Sequence, residues 1–232
     1  MMINEIKNFL NQMGMSAKVM PKADVGYIDF IMCGEIAGSP ILPVAVRELD
    51  GVEQDHLMQW CTENALYQVP TIELVEWLRE KIGDRSAIEI CAGKGGIGRA
   101  LGIPSTDSYQ QTTPEMRAYY SLMRQPIIVP PDYVEKIEAN EAVRKYKPEV
   151  VIGCFVTQRW RSEEDADGNM FGPLEEEWVE DGVTYIHVGN EHTHRNKRIL
   201  SLPHETFHFP WLRSRAIDQS KNVIWVWNDD NQ

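Results

Sequence analysis

Residues 87–109 read AIEICAGKGGIGRALGIPSTDSY, and the reading of this stretch decides the fold. A short apolar run, Ala87, Ile88 and Ile90, carries one acid, Glu89. A glycine-dense turn follows, with Gly93, Gly95, Gly96 and Gly98. Ile97, Ala100 and Leu101 then keep helical spacing, and a second short strand over 103–107 ends on Asp107. The pattern predicts a β-α-β unit built to hold a nucleoside. Glycines let the backbone approach a ligand closely, and a helix N-terminus offers free N–H groups. An acid after the second strand accepts hydrogen bonds from both ribose hydroxyls.

Two other readings of the turn stay open. Gly93-Lys94-Gly95-Gly96-Ile97-Gly98 is a literal G-x-G-x-x-G, the dinucleotide pattern. Its distance to Asp107 is shorter than the roughly 20 residues that a dinucleotide site uses, which ranks it lower. The turn can also serve packing alone and bind nothing.

Outward from this unit, strands and helices alternate. Helices are expected from Asp55, with Leu57, Met58, Trp60 and Cys61 as the apolar face, and over 71–83, opened by Thr71 and closed by Gly83. Strand three is expected at Ile127-Ile128-Val129, and a helix over 134–146. Pro148 ends that helix and launches an apolar strand over 149–158. Further strands are expected over 183–188 and 222–227, and a short helix over 175–180 inside an acidic, glycine-rich loop. Alternation of this kind gives an α/β fold: a doubly wound, mostly parallel sheet with helices on both faces. Residues 1–69 read as an N-terminal extension of helix, hairpin and helix. Its first helix rests on Ile3, Ile6, Phe9 and Leu10, and its 25–50 stretch reads as a hairpin turning at Gly38-Ser39-Pro40 or as an irregular cover.

Composition narrows the classes of function. With 43% hydrophobic and 25% charged residues, the 232-residue chain has the material for a sizeable core. No apolar run approaches the roughly 18 residues that span a bilayer. A net charge of -12 argues against a broad grip on nucleic acid. The basic groups Arg159 with Arg161, Arg195 with Lys197 and Arg198, and Arg213 with Arg215 read as solvated loops. Cys33, Cys61, Cys91 and Cys154 form no C-x-x-C pair. Without a secretory signal they are expected as free thiols in a reducing, cytoplasmic setting. Of the seven tryptophans, Trp225 and Trp227 share one strand face and are expected to pack.

The stretch Glu89-Ile90-Cys91-Ala92-Gly93-Lys94-Gly95, with Asp107 as second acid, resembles the first motif of class I S-adenosylmethionine-dependent methyltransferases. That motif runs acid-x-Gly-x-Gly-x-Gly, and Cys91 stands where the family usually has glycine. The Lys147-Pro148-Glu149 step into an apolar strand resembles the family's fourth strand. The resemblance implies a Rossmann-like fold over about 70–232, with S-adenosylmethionine as cofactor. It implies binding by Glu89, Cys91, Gly93, Gly95 and Asp107, and places Asp132, Tyr133 and Phe155 beside the adenine or on the pocket floor. The Asp/Asn-Pro-Pro-aromatic motif of nucleobase amino-methyltransferases is missing from Cys154–Trp160, so the acceptor is not readable. Thr157, Trp160, Glu191, His192 and His194 are candidates for its pocket, lying past strand ends on the edge where α/β folds bind ligands.

Two further functions compete with methyl transfer. One is an inactive nucleoside-binding or interaction domain of the same fold. The other is a metal-dependent hydrolase built on His187, His192, His194, His204 and His208. His204-Glu205-Thr206-Phe207-His208 is a literal H-E-x-x-H, the spacing of zinc peptidases. Pro203 and Pro210 flank it too closely for a full helix, and no glutamate follows Glu205 to complete the ligand set. His204 and His208 are therefore the weakest metal candidates.

Overall fold

The computed structural model describes residues 22–34, 40–122, 125–160 and 168–229. The helix expected from Ile3 to Leu10, the turn residues Gly38 and Ser39, and Arg161 lie outside these. The strands are β1 (Ala87–Ile90), β2 (Ser105–Asp107), β3 (Val134–Lys136), β4 (Val150–Cys154), β5 (Thr184–Asn190), β6 (Glu205–Phe207) and β7 (Asn222–Trp227). The helices are α1 (Tyr27–Cys33), α2 (Gln54–Glu63), α3 (Ile72–Ile82), α4 (Gly96–Leu101), α5 (Pro114–Leu122), α6 (Ala139–Tyr146), α7 (Glu175–Glu180) and α8 (Glu191–His194).

The strands form one sheet in the order β3-β2-β1-β4-β5-β7-β6. The first five are parallel, with Glu89 paired to both Ser105 and Ile152. β7 runs antiparallel to β5 and to β6. The chain winds out from β1 to β3, returns, and continues at β4 on the other side. The crevice beyond the carboxyl ends of β1 and β4 is thus the switch point where such sheets bind ligands. Antiparallel β7 takes the place of the sixth parallel strand of the dinucleotide-binding order.

Side-chain alternation explains the two helical layers. Ala87, Val150, Ile152, Ile186, Val188, Ile224 and Val226 face α3 and Ile97 of α4. Ile88, Ile90, Val151, Tyr185, Val223, Trp225 and Trp227 face Ala139 and Ala142 of α6 and Trp178 of α7. The α/β fold expected from the alternating pattern is the fold observed. Helix α3 matches its reading closely: Thr71 Oγ1 accepts from Leu74 N at 3.2 Å, and Gly83 follows the last turn with φ 58°. Leu74 and Leu78 are fully buried, each contributing about 2 kcal/mol by leaving water.

Two elements depart from expectation. Residues 127–129 form no strand; β3 lies at Val134–Lys136, and α6 starts only at Ala139. Pro130 and Pro131 bring no N–H to a ladder, and the turn closed by Val134 N on Pro131 O delivers the next residues to β2. In place of the hairpin expected over 25–50, the described residues form α1, an irregular stretch over 40–45 and a 3-10 turn at Val46–Leu49. Ile28 and Met32, four apart, are both fully buried against Trp60 and Leu57, so the short apolar run obeys helical period. This extension joins the sheet layer through the Val44–Thr71 and Gln68–Ser214 bridges.

The basic groups are not simply solvated. Lys197 is 7% exposed and ion-paired to Glu175, Arg198 pairs with Glu176 at 2.8 Å, and Arg159 pairs with Glu138 at 3.0 Å. Runs of opposite charge, far apart in sequence, meet across the second helical layer. No described helix is long and apolar enough to cross a membrane.

Candidate functional site

The site begins where β1 ends. Cys91, Gly93 and Gly95 have φ of 50°, 55° and 65°, a left-handed path that glycine takes freely and cysteine at a cost of about 1–2 kcal/mol. Phe155, directly after β4, and Tyr109, after β2, share this backbone strain with φ of 54° and 58°. Of the six described non-glycine residues with positive φ, four (Ala65, Cys91, Tyr109 and Phe155) lie at the binding edge of the sheet, and Lys147 and Asn228 lie at the other.

Hydrogen bonds from β2 hold the turn. Ala92 N donates to Thr106 O at 2.9 Å, Gly93 N to Asp107 Oδ2 at 3.0 Å, and Gly95 N to Ala92 O at 2.8 Å. Asp107 Oδ1 accepts from Tyr109 N at 2.7 Å. Burial raises the Asp107 carboxyl above its ordinary range, against the pull of those two N–H groups. Glu89 is 3% exposed. Its Oε2 accepts from Gly98 N at 2.8 Å and Ser105 Oγ at 2.9 Å, and Oε1 has no donor among the described residues. Burial pushes this carboxyl up to about 7.

Gly98 is required by close approach. A Cβ there would stand 2.2 Å from Ser105 Oγ and 2.7 Å from Glu89 Oε2. The helix expected at Ile97, Ala100 and Leu101 is the six-residue α4.

A cavity of about 360 Å³ opens over this turn. Glu89, Cys91, residues 92–97 and Cys154 form one wall. Asp29, Cys33, Asn64, Tyr67 and Gln68 of the extension form another. Ile128, Val129, Pro131 and Tyr133 close the third side, and Tyr133 Oη donates to Lys94 O at 2.7 Å.

Of the residues expected at a cofactor, Glu89, Cys91, Gly93, Gly95 and Tyr133 line this cavity. Asp107 stands one hydrogen bond behind it. Phe155 lies off the lining, its ring 6.3 Å from that of Tyr67 and 5.2 Å from that of His194. Asp132 is exposed in the turn after the prolines and does not line the cavity, because Tyr133 is the residue the turn presents to it.

None of the acceptor candidates Thr157, Trp160, Glu191, His192 and His194 lines the cavity either. Trp160 is 53% exposed, and Glu191 pairs at the surface with His208 at 2.9 Å and Lys221 at 3.3 Å. His192 is exposed, whereas His194 is buried against His187, ring centres 4.7 Å apart. The H-E-x-x-H stretch contains β6. On a strand its two histidines stand roughly 13 Å apart rather than one helical turn. His204 packs on Trp227 instead, at 5.3 Å. Among the described residues no group of three or more His, Cys, Asp and Glu is arranged to hold a metal ion.

Sequence reasoning missed the extension wall. Asn64 to Gln68 follows α2 as a plain interhelical loop, and only tertiary contact brings it over the glycine turn. It also missed a buried polar knot beneath the β4 exit. Lys197 Nζ contacts Glu175 Oε2 at 2.6 Å and donates to Oε1 at 2.8 Å and to Val156 O at 2.9 Å. Tyr185 Oη donates to Glu175 Oε1 at 2.5 Å. His187 lies fully buried beside them, its pKa driven far below the ordinary range by burial, with Lys197 adding to the effect. The signal available was the pairing of an acidic run at 175–177 with a basic run at 195–198.

No protein-family model matches the sequence, and no curated protein matches it. Among solved structures the chain is similar to the Pyrococcus abyssi tRNA (uracil-54, C5)-methyltransferase in complex with S-adenosyl-L-homocysteine, at 12% identity and a TM-score of 0.35. That match covers 67% of this chain and 37% of the other, so the chain spans well under half of that enzyme's length. A second is Thermoplasma acidophilum 1320, at 15% identity and TM-score 0.34, covering 68% of this chain and 87% of the other. A third is SMU.776 in complex with SAH, at 5% identity and TM-score 0.32, covering 66% and 48%. The fold described above rests on strand order and register, not on these likenesses.

Proposed function

We propose that this chain binds S-adenosylmethionine and is a methyltransferase acting on an acceptor that the sequence does not name. The observation that carries the reading is the cavity at the switch point of the sheet, walled by the glycine turn, with Glu89 in its lining and Asp107 behind it. The residues suit the cofactor. Each Asp107 oxygen accepts one backbone N–H and keeps acceptor capacity for a ribose hydroxyl. Glu89 Oε1 is free to accept from the ammonium of the methionine part. Ile128, Val129 and Tyr133 offer an apolar side for adenine. When bound, the cofactor supplies a methyl group on a sulfonium. The chain's own part is to orient that ligand and exclude water from it. In this reading residues 1–69 are an extension that completes the pocket, and 70–232 are the methyltransferase-like domain.

The test is calorimetric titration with S-adenosylmethionine, S-adenosylhomocysteine and NAD. Binding of both adenosyl ligands, weakened at least about tenfold by Asp107→Asn, is the expected result. Binding of NAD alone, or of none of the three, overturns the reading.

A further inference from the structure

The cavity wall built by the extension is one-sided in its hydrogen bonding. Asp29, Asn64 and Gln68 all line it. Gln68 Nε2 donates to Val69 O at 3.1 Å and Arg213 O at 2.9 Å, which identifies the two ends of the amide. That leaves Oε1, on a residue only 5% exposed, as a buried acceptor with no donor. Asn64 Nδ2 donates to Trp60 O at 3.0 Å, so its remaining end is also an acceptor. Asp29 Oδ1 accepts from Trp60 Nε1 at 2.8 Å, and Oδ2 has no donor among the described residues. On these three residues unfilled oxygens outnumber unspent donors: Gln68 Nε2 makes two hydrogen bonds and Asn64 keeps one amide N–H, whereas each side chain keeps an oxygen without a donor. Gln68 Oε1 is sealed from the cavity, so the oxygens within reach are those of the half-buried Asp29 and Asn64, and a ligand that fills this space gains by donating to them.

We infer that this wall is the subsite for the methyl acceptor, and that it takes a hydrogen-bond donor: an amine, amidine or amide nitrogen carrying N–H. The assignment to the methyl acceptor rests on the adenosylmethionine reading; the preference for donors is a property of the wall itself. Lys94 reaches the same lining from the glycine turn, near Cys33, and its ammonium is the feature that would favour an anionic ligand instead. Matched probes separate the two.

Ligand-observed NMR and calorimetry would compare benzamidine and 2-aminopyridine with benzoate and anisole, on protein saturated with S-adenosylhomocysteine. The donor probes should bind at least about tenfold more tightly than the other two. Asp29→Asn keeps an oxygen for Trp60 Nε1 and turns an NH2 toward the cavity. It should weaken the donor probes about tenfold and leave S-adenosylhomocysteine affinity within about twofold. Asn64→Ala, at the partly exposed end of α2, should act in the same direction if Asp29→Asn perturbs the fold. Tighter binding of benzoate overturns the inference in favour of an anion site at Lys94. Equal binding of all four probes, or no effect of either substitution, also overturns it. Should S-adenosylhomocysteine fail to bind, the methyltransferase reading falls, and the same probe comparison on the ligand-free protein still decides the character of the wall.

Discussion

Replacing Glu89 by glutamine should stabilise this protein above neutral pH and weaken its ligand. Burial lifts the Glu89 carboxyl from 4.5 to about 7; the Gly98 N–H and the Ser105 hydroxyl pull it down but do not prevail, and the charge on Asp107 lifts it further. Between these two values the folded chain holds a proton that the unfolded chain has released. The stability contributed by protonated Glu89 is therefore fully present below 4.5 and is lost as pH rises through about 7. At 1.36 kcal/mol per pH unit the loss is about 3 kcal/mol. Glutamine keeps an oxygen for Gly98 N and Ser105 Oγ and carries no charge, so the variant does not suffer this loss. At pH 8 Glu89→Gln should be about 3 kcal/mol more stable than wild type, or about 6–12 °C in Tm for a chain of this length. At pH 4.5 the two should agree within about 0.5 kcal/mol. Urea unfolding of both proteins from pH 4.5 to 8 measures this, and the difference between them cancels the other carboxylates. A difference that stays constant with pH would refute the reasoning. The same substitution removes the carboxylate oxygen facing the cavity, so S-adenosylmethionine should bind more weakly as stability rises, the trade expected of a strained functional group.

The glycines of the turn should separate cleanly. Gly98→Ala should cost about 2–3 kcal/mol, because its Cβ collides with Ser105 Oγ and Glu89 Oε2. Gly96→Ala, whose Cβ would meet nothing nearer than Pro70 Cγ at 3.8 Å, should cost under about 1 kcal/mol; chemical unfolding of the two variants reads the contrast. Lys197→Met should cost about 3–5 kcal/mol by stranding the Glu175 carboxylate in the core, and adding Glu175→Gln should restore at least half, a non-additivity that a double-mutant cycle detects. Asp107→Asn should leave the fold standing, since one oxygen still accepts from Gly93 or Tyr109, while S-adenosylhomocysteine affinity drops; unchanged affinity would remove Asp107 from the site.

Local chemistry was legible in the residues themselves. The strand, glycine turn and second acid of 87–109 are all present, and Glu89, Cys91, Gly93 and Gly95 line one cavity because adjacent residues cannot stray far from one another. Thr71 and Gly83 mark the ends of α3 because capping is a matter of a few neighbouring atoms. Short apolar runs were less legible. Residues 25–34 and 127–136 are brief enough to fit a helix or a strand, and burial against Trp60 in one case, and pairing with β2 in the other, decided between them. The histidines near 187–208 looked like a group because they are close in sequence. The fold sends His187 into the core, His192 to solvent, and His204 and His208 to opposite ends of β6.

What the sequence determined by itself is therefore the β-α-β unit, the two-sided sheet and the acidic, glycine-lined floor of the site, all products of spacing over a few residues. Tertiary structure alone decided that Asp29, Asn64, Tyr67 and Gln68 form the opposite wall, that Lys197 is buried on Glu175, and that β6 and β7 close the sheet antiparallel. Those pairings join residues tens of positions apart, and their energy depends on burial and on the geometry of facing surfaces, which periodicity along a single chain does not encode.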